Sequence, residues 1–250
     1  MEPHQSTLLA KLAQVRDIRS KHGQRFAWSY LLALLTAGLA AGQTTVVEIA
    51  EWAQQHAAEL IAQLKPRCPR IPSAATLRRM LSDIPAPELE EQVAAHNQRL
   101  DAEEVTSGSV RALNGQMLRG QSVDGKDVRG VRAYGNPHFL VSLVRNQSAY
   151  VLGQAVVDQK TNEITAVPAL LTGRDLSGTV TTMDALLTQS AIARLILDQG
   201  GHYLMIVKKN QLNLYGAIEL LFQTPPVPAL PGEWLRHAYG AKAHGRLEQR

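Results

Sequence analysis

HFLVSLVR at residues 138–145 and YVLGQAVV at 150–157 are two apolar runs joined by NQSA. Runs of this length and composition, joined by a short polar connection, predict an antiparallel hairpin. Upstream of the pair, QSVD at 121–124 is a further strand-like run. Downstream, NEITAVPALL at 162–171 returns to helical spacing, and VTTMD at 180–184 is strand-like again. A helix follows over 188–199, then a strand YLMIV at 203–207, then a helix from about Asn210 to Phe222. The hairpin followed by alternating helices and strands predicts a mixed α/β sheet flanked by helices.

Ahead of the sheet the texture is helical. Leu8, Leu12, Val15 and Ile18 recur at helical spacing. FAWSYLLALLTAGLAAG at 26–42 is the most apolar stretch, and it contains Ser29, Tyr30 and Thr36. It stands at the bottom of the ~17–25 residues that span a bilayer, and it begins too late for a signal peptide. It therefore reads as a buried helix ending near Gly42. Thr44 and Thr45 offer caps for a helix running to about Leu64; Pro66, Pro69 and Pro72 break the chain, and Ser73 caps SAATLRRML. Arg78 and Arg79 make that last helix basic. Two helices separated by a turn, the second one basic, suggest a helix-turn-helix-like DNA contact, with a solvated helix face as the plainer alternative. An acidic helix from roughly Pro87 to Leu100 comes next. The expected organisation is a helical domain over 1–85, a connecting helix and loop over 86–117, and the sheet domain over 118–250.

Composition bounds the rest. In 250 residues, 45% hydrophobic and 19% charged content is that of a globular chain and excludes long disorder. Cys68 is alone, so neither an internal disulfide nor a thiolate zinc cluster can be built. The net charge of +4 is unevenly spread: residues 1–80 carry ten Lys/Arg against five Asp/Glu, while 81–120 carry three against seven. A basic front segment points towards an anionic partner such as nucleic acid.

Two carboxylates stand out on the sheet. Asp124 closes the first strand-like run and Asp184 the fourth, where ligands gather at strand ends. Oxygen ligands at that place suit a hard cation such as Mg²⁺. A strand-ending aspartate also serves as a turn former or helix cap, and that reading stands beside the first. The stretch from Gly120 to Lys126 has the spacing of a phosphate-binding loop, but Asp127 occupies the position that needs Ser or Thr, which excludes nucleotide hydrolysis.

The blocks VDGKDVRG, GQAVVDQKTNEITAVPALL, TVTTMDALLTQSAIARLI, GGHYLMIVKKNQ and HGRLEQR, in this order and spacing, resemble the DDE insertion-sequence transposases. The resemblance is closest to the branch related to H-repeat-associated proteins. It implies a ribonuclease H-like catalytic domain after a helical transposase-associated domain. It also implies a triad of Asp124, Asp184 and Glu248 that catalyses DNA strand cleavage and transfer with two Mg²⁺ or Mn²⁺ ions. Sixty residues separate the first two acids and sixty-four the last two. Lys126 and Lys208, with Asn210 and Gln211, fall on motif positions suited to DNA contact, and Lys160 and Lys209 lie close by. His244 and Arg246 flank the third acid, placed to orient it or a phosphate. The implied partners are double-stranded DNA at insertion-sequence ends and target DNA, with a homodimer on the DNA. The implied location is the bacterial cytoplasm, associated with the nucleoid and not with a membrane.

In relatives of usual length the third acid stands on a helix with more chain behind it. Here only Gln249 and Arg250 follow Glu248, too few for a stabilised turn, and TPPVPALPG at 224–232 leads into that tail. The chain is thus expected to be a truncated, poorly active transposase. The alternative is a non-catalytic DNA-binding remnant that competes with the full-length enzyme.

Overall fold

The computed structural model describes residues 8–20, 24–104, 108–128, 139–157, 163–224, 240–243 and 246–249. The chain divides into two compact units, Met1–Met205 and Ile206–Arg250.

The first unit opens with helices α1 (Leu8–Leu12), α2 (Trp28–Ala40), α3 (Val46–Gln55), α4 (Ala57–Leu64), α5 (Ala74–Ser82) and α6 (Ala86–Glu103). The apolar 26–42 stretch becomes α2, with Trp28 and Tyr30 to Leu35 all buried. A helix apolar on every side is a core helix, and α2 is the centre of a cluster containing Leu12, Leu31, Leu34, Ile49, Leu77 and Met80. Gly38 lets α3 approach: a β-carbon there would sit 2.7 Å from the Ile49 side chain. No helix of the described residues is long and apolar enough to cross a membrane.

Local capping explains where these helices start. Thr45 Oγ1 accepts from the Glu48 amide at 3.2 Å, and the Glu48 carboxylate accepts from the Thr45 amide at 2.9 Å, a reciprocal capping box. Ser73 accepts from the Thr76 amide at 3.4 Å at the start of α5. The single helix expected up to Leu64 is instead broken at His56 into α3 and α4. The helix expected from Leu8 stops at Leu12.

The sheet contains β1 (Val110–Arg111), β2 (Met117–Asp127), β3 (Phe139–Arg145), β4 (Val151–Val157), β5 (Thr179–Met183) and β6 (His202–Met205). Its order is β4-β3-β2-β5-β6, with β1 paired to β2. The β4-β3-β2 half is antiparallel, and β2-β5-β6 is parallel. This is the mixed sheet the sequence predicts. Helices α7 (Glu163–Leu171) and α8 (Ser190–Asp198) supply the crossovers and bury one face against Val123, Val141, Leu143, Val167, Leu171, Met183, Ile192 and Ile196.

Helix α6 joins the helical cluster to the sheet. Asn97 and Gln98 donate to the carbonyls of Val151 and Leu152 at 2.9 and 2.7 Å, covering the β4 edge that would otherwise expose unpaired backbone groups. One turn further, Asp101 lies between two guanidinium groups. It accepts from Arg145 at 2.9 and 2.8 Å and from Arg119 at 2.6 Å, and all three side chains are at most 15% exposed.

The second unit contains α9 (Leu212–Gln223) and the antiparallel pair β7 (Gly240–Ala243) and β8 (Arg246–Gln249). The residues 225–232 of the proline-rich stretch lie outside the described residues.

Candidate active site

Strand β2 carries Asp124 past the point where the sequence ends the strand. It runs on to Asp127, which pairs with Phe139, so Asp124 stands inside a paired strand opposite Ser142. The run from Gly120 to Lys126 is therefore extended throughout and cannot curl around a phosphate, which disposes of the phosphate-loop spacing by geometry. Alternation along β2 buries Gln121 and Val123 on the helix-covered face and leaves Asp124 and Lys126 exposed on the other.

Asp184 follows β5 directly, as the sequence predicts. The parallel register pairs Val123 with Met183, so Asp124 and Asp184 are the next residues on two neighbouring strands. Neighbouring strands are about 4.8 Å apart, so the backbone carries the two aspartates to the same end of the sheet. Asp184 Oδ1 accepts from the amides of Leu186 and Leu187, both at 3.0 Å, and its carbonyl accepts from Thr188 Oγ1 at 2.9 Å. It is thus also the turn former of the plainer reading. The turn fixes the carboxylate by one oxygen, Oδ1, on an exposed residue. The Asp124 side chain, also exposed, makes no hydrogen bond or ion pair with the described residues.

Beside the pair, the sheet presents polar atoms that sequence reading passed over. Ser142 faces Asp124 across one strand gap and Gln154 faces Ser142 across the next. Gln154 Nε2 donates to Ser142 Oγ at 2.9 Å. The signal was present as a single polar residue interrupting each apolar run, FLVSLVR and VLGQAVV. An open groove of about 620 Å³ lined by Gly125, Lys126, Asp127, Val128 and Leu140 adjoins this end of the sheet.

The other expected residues are distributed as follows. Lys208, Asn210 and Gln211 belong to the second unit, in the turn that enters α9, where the Gln211 amide donates to the Lys208 carbonyl at 3.0 Å. Gln211, not Asn210, precedes the helix. Glu248 and Arg246 lie on β8, paired with Ala241 and Ala243, so Glu248 stands on a strand, in keeping with a tail too short for a stabilised helical turn. Lys160 and His244 lie outside the described residues.

Arg78 and Arg79 are exposed on α5. The connection from α4 runs over residues 65–73, far longer than the 3–4-residue turn of a helix-turn-helix. Arg79 instead borders a cleft of about 450 Å³ shared with Arg19, Ser20, Arg25, Thr76 and Asp83. Arg19 is committed there, donating to both oxygens of Asp17 at 2.8 Å and lying 5.0 Å from the Trp28 ring. That contact holds the Asp17 carboxyl below its usual pKa.

Among the described residues no three His, Cys, Asp or Glu side chains converge as a ready-made metal site. The Asp124–Asp184 pair does fit a hard divalent cation. It offers carboxylate oxygens from β2 and from the turn after β5, and no Lys or Arg forms an ion pair with either acid among the described residues.

Comparison with known proteins gives the family. The family described as "Transposase DDE domain" matches residues 111–245, and the one described as "DDE_Tnp_1-associated" matches residues 9–96. Arg246 and Glu248 fall just past the matched range. "Putative transposase YncI" of Escherichia coli O157:H7 is 30% identical over 98% of this chain, which spans 60% of that relative. The protein of the same name from E. coli K12 is 29% identical over 98% of this chain and 94% of its own length. "H repeat-associated putative transposase YbfD" of E. coli K12 is 30% identical over 97% of this chain and 91% of its own length. The chain therefore belongs to the DDE transposase family, in the branch of the H-repeat-associated proteins.

Proposed function

We propose that this chain binds double-stranded DNA and catalyses metal-dependent cleavage and transfer of a DNA strand at insertion-sequence ends, with Asp124, Asp184 and Glu248 as its acids. The observation that carries the reading is the β2–β5 register, which sets Asp124 and Asp184 next to each other on an exposed sheet end. Two unscreened carboxylates in that arrangement repel unless a cation lies between them. Mg²⁺ or Mn²⁺, two per complete site, would supply Lewis-acid polarisation of the phosphodiester and a lowered pKa for the attacking hydroxyl.

The chain's own residues would position and charge the site. Asp124 projects from β2 where that strand is paired with β3, one residue beyond the end of its ladder with β5. Asp184 is oriented by two backbone amides through Oδ1, leaving Oδ2 for the ligand. Lys126 lies two residues beyond Asp124 on the same face, roughly 7 Å along the strand, within reach of a phosphate beside the cut. Lys208, Asn210, Gln211 and Arg246 would hold flanking DNA, with Arg78 and Arg79 contacting it from the helical region. The antiparallel β4-β3-β2 half followed by parallel β5 and β6 supports a ribonuclease H-like reading of 118–250. The separate apolar cluster around α2 supports a helical domain over 1–85, with 86–117 connecting the two. Cutting two element ends calls for two active sites, hence a homodimer on DNA, in the bacterial cytoplasm at the nucleoid.

The test is calorimetric titration of Mn²⁺ into the protein beside Asp124→Asn and Asp184→Asn, followed by cleavage of DNA carrying the element's ends. Mn²⁺ binding by the parent alone is expected, with cleavage weak, as befits a poorly active copy. A folded parent that binds no Mn²⁺ and cuts nothing rejects the catalytic reading. The second reading, a non-catalytic DNA binder that competes with the full-length enzyme, is favoured by the placement of Glu248 on a hairpin strand. Salt-dependent DNA binding without metal-dependent cleavage selects it.

A further inference from the structure

Glu163 is the first residue of α7, and it is 3% exposed. The helix it opens is otherwise an apolar wedge: Ala166, Val167, Leu170 and Leu171 are buried against the sheet. A carboxylate at this entry gains from the helix N-terminus, but that gain is available to an exposed acid too and does not explain the burial. The sheet explains it. A β-carbon built on Gly125 would meet the carboxylate carbon and both oxygens of Glu163 at less than 3.0 Å. The carboxylate therefore occupies the volume that any other residue at position 125 would fill. Gly125 is the neighbour of Asp124 on β2, and its partner across the β2–β3 ladder is Val141.

We propose that Glu163 is a positioning residue for Asp124: the α7 carboxylate, seated against the bare backbone of Gly125, sets the path of β2 at the carboxylate pair. This rests on the reading of Asp124 and Asp184 as a cation site. Glu163 lies on the helix-covered face and Asp124 on the open face, so Glu163 acts through the strand and touches no ligand. The contact is specific in two ways. It requires a side chain long enough to reach from the helix entry, and it requires glycine beneath it. Glu163 has almost no exposed surface, so a methyl group at 125 displaces a carboxylate from a buried position.

The experiment is a double-substitution cycle on the full chain, with Mn²⁺ affinity by calorimetry and amide hydrogen exchange of residues 123–127 as readouts. Glu163→Ala and Gly125→Ala are each expected to weaken Mn²⁺ binding on the order of tenfold, about 1.4 kcal/mol, and to speed exchange in β2. The double variant should be no weaker than the worse single, because both changes remove one shared contact. Glu163→Gln, which keeps the shape, should restore affinity to within about threefold of the parent, less than 1 kcal/mol. If Glu163→Ala does not fold, Glu163→Asp, which withdraws the carboxylate by one methylene, takes its place with the same expectation. Unchanged Mn²⁺ affinity and unchanged exchange in folded Glu163 and Gly125 variants overturn the proposal. A parent that binds no Mn²⁺ rejects the cation-site reading instead. The exchange data then decide this inference alone: unchanged protection at 123–127 overturns it, and lost protection upholds it.

Discussion

The helical cluster and the sheet of the first unit are built from different materials. Every buried polar or charged residue described lies between positions 101 and 188: Asp101, Gln121, Arg145, Glu163, Thr179, Thr181 and Thr188. The core around α2 is apolar by contrast, held by Leu31, Leu34, Leu77 and their neighbours. Burying polar groups costs free energy unless each is satisfied, so a region that does it repeatedly is under a constraint besides stability. Here that constraint coincides with the sheet carrying Asp124 and Asp184, the acids of the proposed site.

That contrast can be broken in order of expected effect. If the proposed function holds, Asp124→Asn or Asp184→Asn should reduce DNA cleavage on the order of 10⁴-fold, since several kcal/mol of transition-state stabilisation would run through carboxylates that hold the cation. A single-turnover cleavage assay measures it, and near-parental rates would remove these acids from the site. Asp101→Ala leaves two mostly buried guanidinium groups without their carboxylate and should destabilise the fold by about 3–5 kcal/mol in denaturant unfolding. Leu34→Ala in the helical core should cost about 2–5 kcal/mol by the same measurement while leaving Mn²⁺ affinity alone, because it opens a cavity remote in sequence and core from the sheet. If it impaired Mn²⁺ binding in the folded protein, the division into scaffold and site would fail.

Smaller effects probe the helical surface. Ser73→Ala should cost about 1 kcal/mol through loss of the α5 cap. Arg79→Ala should weaken DNA binding uniformly across sequences and flatten its salt dependence by about one phosphate contact. Filter binding at several salt concentrations reads this out, and an unchanged slope would detach α5 from DNA. The Asp17–Arg19 pair gives a pH signature. The side-chain hydrogen bonds from Arg19 lower the Asp17 pKa, so its contribution is present above the ordinary aspartate range near 3.9 and is lost as pH falls through the lowered folded value. Asp17→Asn should remove that acid-side slope from a stability-against-pH curve.

Much of this was legible from local chemistry. The α2 stretch could only be a core helix, because its apolar residues lie on every side. Ser73 and Thr45 announced their helices because capping depends on residues three apart. Strands β3 and β4 and the alternating helices after them follow from runs of apolar, β-branched residues bounded by polar turns. The resemblance carried by VDGKDVRG and TVTTMDALL pointed to Asp124 and Asp184 before their register was known.

What sequence reading missed depends on contacts between distant residues. The end of β2 was placed at Asp124 because Gly125 and Lys126 are poor strand formers; pairing with β3 carries the strand to Asp127 regardless. The hairpin β7–β8 escaped because short strands with little apolar content have no periodic signature. Periodicity and capping are short-range and survive in a one-dimensional reading. The side-by-side placement of Asp124 and Asp184, the arginine pair around Asp101, and the seat of Glu163 on Gly125 come from strand register and helix packing, which bring together residues forty or sixty positions apart.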